Sequence, residues 1–333
     1  MEIILFVPLI LSFILTLSFI PIWIRKSKNI GLVWEDMNKF GNPKNVAGSG
    51  GLIVTMSFIF GVLSYIAIKT FILQTDNITV EIFALLSTIF IALLIGFLDD
   101  ILGWVHGGMS RKFRIILLLF AAIPLMVINA GVSEMMGIEF GLLYPLILIP
   151  LGIIGVTATF NFLAGYNGLE TSQGIILLSA LALVTYFTGN NWLSLIALIM
   201  VFSLVAFYLF NKFPARVFPG DTLTYPVGVL IACIAILGNI EKIAIFFFIP
   251  YIFEVILKVR GKLKKYSFGK VNSDGSLDVP YNKFYGLEHI AIYLLKKIKR
   301  SGKVYERDVV ILINIFQISI IILGLIIFRG NIF

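Results

Sequence analysis

Apolar runs long enough to cross a lipid bilayer recur along almost the whole of this chain, and its chemistry-capable polar residues are confined to short stretches between them. A hydrocarbon core about 30 Å thick takes roughly 20 apolar residues to cross as a helix. Runs of about that length lie near 3–24, 46–72, 82–98, 113–131, 142–163, 174–188, 192–210, 225–238, 241–259 and 309–328. No water-soluble core of 333 residues hides so many, and the balance of 59% hydrophobic against 13% charged residues leaves too little polar surface for a soluble fold. Lipid permits only helices or closed barrels to span, because every backbone polar group must be bonded within the element. Barrel strands alternate apolar and polar residues, whereas these runs are continuous. The prediction is an all-α integral membrane protein of about ten transmembrane helices, one polytopic domain over 1–333. Residues 1–24 lack a basic leading segment and are long enough to span, so they read as the first helix and not as a cleaved signal.

Five polar stretches punctuate the runs. They are Glu35-Asp36-Met37-Asn38-Lys39, Gly96-Phe97-Leu98-Asp99-Asp100, the segment 161–170, Phe218-Pro219-Gly220-Asp221 and the basic segment 260–307. Loops after odd-numbered runs hold Arg25, Lys26, Lys28, Lys39 and Lys44, then Arg111, Lys112 and Arg114, then Lys212 and Arg216, then the 260–308 segment. Loops after even-numbered runs hold Asp76, Glu81, Glu134 and Glu139, with Lys242 as their cation. Cationic loops stay in the cytoplasm, so all five stretches are expected on the cytoplasmic face and both termini outside. The net charge of +8 is thereby a topology signal. The cations form no aromatic-interleaved soluble module, so nucleic acid is not an expected partner. Cys233, the single cysteine, lies within an apolar run, which excludes disulfides and cysteine-metal clusters.

Two adjacent carboxylates at a membrane boundary, Asp99 and Asp100, are costly unless they bind a cation, meet a cationic partner or face water. Asp221 sits in a tight turn before a helix, and Asn161 lies near the end of an apolar helix where its amide must find a partner. An oxygen-rich, histidine-poor set favours a hard cation, Mg²⁺ or alternatively Mn²⁺, with water and phosphate oxygens filling its remaining positions. Zinc is disfavoured: the two histidines, His106 and His289, lack helical spacing and read as surface or interfacial residues. Lys112 and the basic segment can neutralise phosphate charge. The set is one for phosphoryl transfer. Glu254, near a helix end, is expected to pair with Lys258 four residues on and is left outside the site.

On these residues the chain resembles the polyprenyl-phosphate N-acetylhexosamine-1-phosphate transferase family. It is most similar to the eukaryotic and archaeal UDP-GlcNAc:dolichyl-phosphate GlcNAc-1-phosphate transferases that start N-glycan assembly. The motifs behind the resemblance run in family order: Asp36-Met37-Asn38-Lys39, Gly96 to Asp100, Arg111-Lys112, 161–170, Phe218 to Thr222, and Val279-Pro280-Tyr281-Asn282-Lys283-Phe284. The resemblance implies Asn161 and Asp221 as magnesium ligands. It implies Gly165, Asn167 and Phe218 as a uracil pocket completed by the Met37 backbone, with Asn38 and Lys39 in the same donor-binding motif. Asp99 and Asp100 would be the carboxylate pair beside the diphosphate, and Lys112 a phosphate-binding lysine. The implied partners are UDP-GlcNAc, a polyprenyl or dolichyl phosphate and membrane lipids, with a homodimer as candidate assembly. The chemistry of the residues agrees: glycine lets a flat base approach closely, and an amide donates and accepts at a uracil edge.

One motif departs. Where the eukaryotic enzymes carry an Arg/His-rich segment and the bacterial ones clustered histidines, this chain reads Lys262-Leu263-Lys264-Lys265-Tyr266-Ser267-Phe268-Gly269-Lys270. Lysines supply charge but no bidentate fork. Further on, Asn272-Ser273-Asp274-Gly275 predicts a hairpin, and 283–300 an amphipathic helix for an anionic membrane surface. Two alternatives stand beside GlcNAc-1-phosphate transfer. One is the same reaction on UDP-MurNAc-pentapeptide or another UDP-sugar. The other is a secondary transporter, whose site would sit near the bilayer midplane and not at one interface.

Overall fold

The computed structural model describes residues 3–75, 78–135 and 137–332; Asp76 lies outside them, as does the side chain of His106. A 3-10 turn at Ile3–Phe6 leads into α1 (Val7–Asn29). The antiparallel pair β1 (Val33–Glu35) and β2 (Lys44–Ala47) follows, then α2 (Gly51–Ile68) with a π-helical turn at Lys69–Leu73. Next come α3 (Thr79–His106), α4 (Arg111–Val127) and the small pair β3 (Glu134–Met135) and β4 (Ile138–Glu139). A π-helical turn at Tyr144–Leu148 opens α5 (Ile149–Phe160), before α6 (Leu169–Phe187), α7 (Asn191–Asn211) and α8 (Asp221–Leu237). The chain closes with α9 (Glu241–Phe247), α10 (Ile249–Arg260), the pair β5 (Lys270–Val271) and β6 (Leu277–Asp278), α11 (Leu287–Ile298), α12 (Glu306–Ile327) and α13 (Arg329–Ile332). Among the described residues six helices are long and apolar enough to cross a membrane: Ile3–Asn29, Gly51–Leu73, Thr79–Val105, Leu169–Phe187, Asn191–Asn211 and Glu306–Ile327. Tyr144–Phe160 and Asp221–Leu237 are shorter apolar helices. The protein is an all-α integral membrane protein with small β-hairpins.

A helix apolar on every face belongs in the centre, and α8 is one: every residue from Thr222 to Ile236 is buried, including Cys233. Around it pack α3 and α5, while α7 packs on α6 and α1. The outer helices turn aliphatic side chains such as Ile10, Ile14, Ile315 and Ile322 outward, which carries no penalty in lipid. Because lipid removes the hydrophobic drive between helices, small polar residues tie them. Ser12 donates to the Ile199 carbonyl at 3.1 Å, and Thr16 to Ser203 at 3.3 Å, joining α1 to α7. Pro226 inside α8 removes the N–H that would serve the Thr222 carbonyl four residues back. Thr55 on α2 fills that role with a side-chain hydrogen bond of 3.1 Å.

Several boundaries differ from the sequence expectation, three of them with consequences for the segments that carry polar residues. The third run continues as helix to His106, so Asp99 and Asp100 lie within α3. The run at 241–259 is two helices, α9 and α10, divided at Phe248 because Pro250 favours starting a new helix. The amphipathic helix begins at Leu287, after Gly286 in extended backbone, and not at residue 283. The hairpin stands where expected, with the Asn272 N–H bonded to the Ser276 carbonyl at 2.8 Å. His289, expected at the surface or interface, is fully buried in the first turn of α11. Burial pushes its pKa down to about 4, so it is neutral at pH 7.

Candidate active site

The site begins with a contact that a larger residue would prevent. A Cβ on Gly96 would stand 2.4 Å from the Asp221 carbonyl oxygen, so glycine lets α3 touch the first turn of α8. One turn further along α3, the Asp100 carboxylate accepts from the Asp221 N–H at 2.8 Å, the Thr222 N–H at 3.4 Å and the Thr222 hydroxyl at 3.1 Å. First-turn amides have no partner within their own helix. Asp100 thus caps α8 from a neighbouring helix, and the turn holds Asp221 in place. Asp99 is occupied too: Oδ1 accepts from the Met109 N–H at 2.9 Å and from Arg114 Nη2 at 3.0 Å. Its Oδ2 lies 2.5 Å from Arg114 Nε and accepts from the Tyr225 hydroxyl at 3.2 Å. Both carboxylates are buried, with 3% and 8% exposure, unlike a solvated helix end.

Above them opens a cavity of about 390 Å³. Of the residues singled out from sequence, Met37, Asp100, Asn161, Gly165, Phe218 and Asp221 line it. Asn161 ends α5 with its Oδ1 accepting from the Thr224 hydroxyl at 3.1 Å, the partner an amide at that depth requires. The backbone at Phe218 is pinned to the β2–α2 junction: its N–H bonds the Ala47 carbonyl at 2.8 Å, and its carbonyl accepts from Gly50 at 2.9 Å. Trp34, Glu170 and Phe268 complete part of the wall.

Asn38, Lys39 and Asn167 do not line that cavity; they form the frame beside it. Lys39 Nζ lies 2.6 Å from Glu306 and 3.1 Å from Asp36. Asn38 donates to the Gly165 carbonyl at 2.8 Å and to Glu306 at 3.3 Å. The Asn167 N–H donates to Glu306 at 2.6 Å and its side-chain amide to Asp36 at 3.2 Å. Glu306, at the start of α12, is therefore the hub joining the first polar stretch to the loop 161–168. Sequence reasoning missed it, although a carboxylate opening an apolar run is the signal that marked Asp99 and Asp100. Lys112 is exposed on α4 and outside the cavity wall. The cation that meets Asp99 is Arg114, two residues on.

The donor set suits a hard cation. Among the described residues no three His, Cys, Asp or Glu side chains form a ready-made metal cluster. Asp99 and Asp100 are taken up by several protein donors, whereas on the cavity wall the Asn161 amide oxygen accepts one bond, from Thr224, and keeps its second lone pair beside the Asp221 carboxylate. Two oxygen ligands, with water and phosphate oxygens for the rest, is the usual shell of Mg²⁺. The Asp100 carboxylate, bonded to the Asp221 N–H at 2.8 Å, adds negative charge beside the pair that a cation relieves.

Residues 82–239, most of α3 through α8, match the family model described as Glycosyl transferase family 4. A Saccharolobus solfataricus protein provisionally named UDP-N-acetylglucosamine–dolichyl-phosphate N-acetylglucosaminephosphotransferase is 37% identical over 317 residues, covering 92% of this chain and 91% of that protein. The Dictyostelium discoideum UDP-N-acetylglucosamine–dolichyl-phosphate N-acetylglucosaminephosphotransferase is 28% identical over 288 residues, 74% of this chain and 69% of its own. The phospho-N-acetylmuramoyl-pentapeptide-transferase of Staphylococcus carnosus is 30% identical over 280 residues, 76% and 84% of the two chains. A likeness running nearly end to end, through the helices that build the cavity, makes this chain a transferase belonging to glycosyl transferase family 4.

Proposed function

We propose that the protein transfers N-acetylglucosamine 1-phosphate from UDP-GlcNAc to a polyprenyl phosphate of the dolichyl type, releasing UMP. The observation that carries this is the meeting of Phe218, Gly165, Asn161 and Asp221 in one cavity. An aromatic ring and a glycine suit a flat base, and the oxygen pair beside them suits a diphosphate with its cation. The names of the relatives point to the same substrates.

In this reading the acceptor phosphate attacks the donor's β-phosphorus. A phosphate monoester has a second pKa of about 6 and is largely dianionic near neutrality, so it reacts without a base on the protein. Asp100 orients the turn that carries Asp221. Asp99 is balanced by Arg114, which takes the place beside the site first given to Lys112. Mg²⁺, or Mn²⁺ in its place, would be held by Asn161 and Asp221 and would neutralise charge on the donor's diphosphate when bound.

The orientation belongs to the same proposal. With α4, α5, α8 and the α9–α10 pair added to the six longer helices, ten segments cross. The positive-inside rule then places the cavity and the 260–308 segment in the cytoplasm and both termini outside. The test is UMP release from a panel of UDP-N-acetylhexosamines, with polyprenyl phosphate as acceptor, in detergent. UDP-GlcNAc is expected to lead. UDP-MurNAc-pentapeptide as the preferred donor would replace the substrate assignment, and no UMP from any donor would remove the reaction.

Phe218→Ala is expected to weaken UDP-GlcNAc and UMP alike, because both present the same uracil. Stacking of a base on an aromatic ring contributes roughly 1–3 kcal/mol. Unchanged UMP inhibition in a folded variant would make Phe218 a packing residue.

A further inference from the structure

Where α10, α11 and the segment 261–269 meet, ionisable groups are buried that the site above does not use. Glu254 on α10 and Glu288 on α11 are both 0% exposed. Glu254 Oε2 accepts from the N–H of Leu287, the first residue of α11, at 2.6 Å. Its Oε1 lies 3.4 Å from Lys258 Nζ, one turn along the same helix. Lys258 Nζ in turn donates to the Ser267 hydroxyl. The carboxylate thus ties down the start of α11, and its paired ammonium reaches into the segment beyond α10.

Ser267 is held from its other side as well. The Tyr166 hydroxyl donates to the Ser267 carbonyl at 3.4 Å and accepts from the Gly269 N–H at 3.1 Å. Phe268 therefore sits between two anchored residues, with its ring stacked on Tyr166 at 6.5 Å and 22°. That ring reaches the cavity: Phe268 and Gly165 both line it, and a Cβ on Gly165 would come within 2.7 Å of the Phe268 ring. We propose that Phe268 is a further donor-binding residue and Lys258 a positioning residue: the Glu254–Lys258 pair fixes Ser267, and Ser267 sets the Phe268 ring against Gly165.

This assignment rests on the reading of the cavity as a nucleotide-sugar site. It also divides the lysines of the departing motif by task. Lys258 is mostly buried and engaged, whereas Lys262, Lys264 and Lys265 are exposed and free of that duty. Glu288 lies outside the chain of contacts that leads to Phe268. One of its oxygens and Glu254 Oε1 both lie within 3.2 Å of the point where a Cβ on Gly286 would stand. Among the described residues neither Glu288 oxygen has a hydrogen-bond partner, so an amide of the same shape at position 288 breaks none of the bonds that lead to Phe268.

The test uses the full chain in detergent, with KM for UDP-GlcNAc, KM for polyprenyl phosphate, kcat and thermal stability measured together. Phe268→Ala, Lys258→Met and Ser267→Ala are each expected to raise the donor KM by about tenfold, within the range of a lost aromatic contact. Acceptor KM should stay within about twofold, Lys258→Arg should restore most of the donor KM, and Glu288→Gln should match the unsubstituted chain. Ser267→Ala removes one hydroxyl and decides the matter if Lys258→Met does not fold. Donor KM unchanged in folded Lys258→Met or Ser267→Ala, or donor and acceptor KM rising together, overturns the positioning role while leaving the reaction intact. An unsubstituted chain that releases no UMP from UDP-GlcNAc overturns both readings.

Discussion

Asp221→Ala is expected to lower turnover by about 100-fold or more, the scale on which a lost electrostatic contact to a transition state is felt. Asp221 opens α8 and lines the cavity together with Asn161, and its position is held by the bond from its own N–H to Asp100. Alanine keeps that backbone bond, so the turn and α8 should survive and the loss should fall on kcat. UMP release followed through a Mg²⁺ titration separates a weakened ion from a lost one: a residual rate that climbs toward the unsubstituted value as Mg²⁺ rises means weak binding. Near-normal turnover at ordinary saturating Mg²⁺ would deny Asp221 the role of metal ligand.

The carboxylate pair should respond differently. Asp99 and Asp100 accept hydrogen bonds from Met109, Arg114, Tyr225, Asp221 and Thr222, which leaves them suited to orienting and balancing charge. Asparagine at either position keeps the shape but turns half of the group into a donor facing donors. Each Asn variant is expected to be slowed on the order of 10- to 100-fold. Each should also keep the rise in rate as pH increases through about 6, because that limb belongs to the acceptor phosphate losing its second proton. An obligate carboxylate base would carry the limb itself, and Asn would abolish it. A flat pH profile in either variant, with metal and both substrates saturating, would restore proton abstraction to that residue.

The cations of α4 show where sequence reading stops. Arg111, Lys112 and Arg114 were all visible as a basic group following the carboxylate pair, and Lys112 was the one the motif favoured. Residues two apart on a helix point about 200° from each other, so Lys112 and Arg114 cannot both face α3. The rotation of α4 about its own axis chooses between them, and that is set by packing between helices. The same holds for Asn38, Lys39 and Asn167. Their place in the motifs behind the family resemblance made them candidate substrate-binding residues, yet Glu306, more than a hundred residues further on, draws them into a frame beside the cavity.

The sequence by itself determined the solvent, the element type and the polar segments whose residues line the cavity. In lipid each helix must satisfy its own backbone, so spanning runs and the polar breaks between them are local properties. The hairpin at 272–275 was legible for the same reason, since a turn depends on its own few residues. Tertiary structure decided what each polar residue touches: Arg114 on Asp99, Asp100 on the first turn of α8, Lys258 on Ser267. The Asp100 pairing joins helices 121 residues apart, the other two depend on how successive elements turn toward each other, and all three follow from packing such as the close approach of Gly96 to Asp221, which no local pattern encodes.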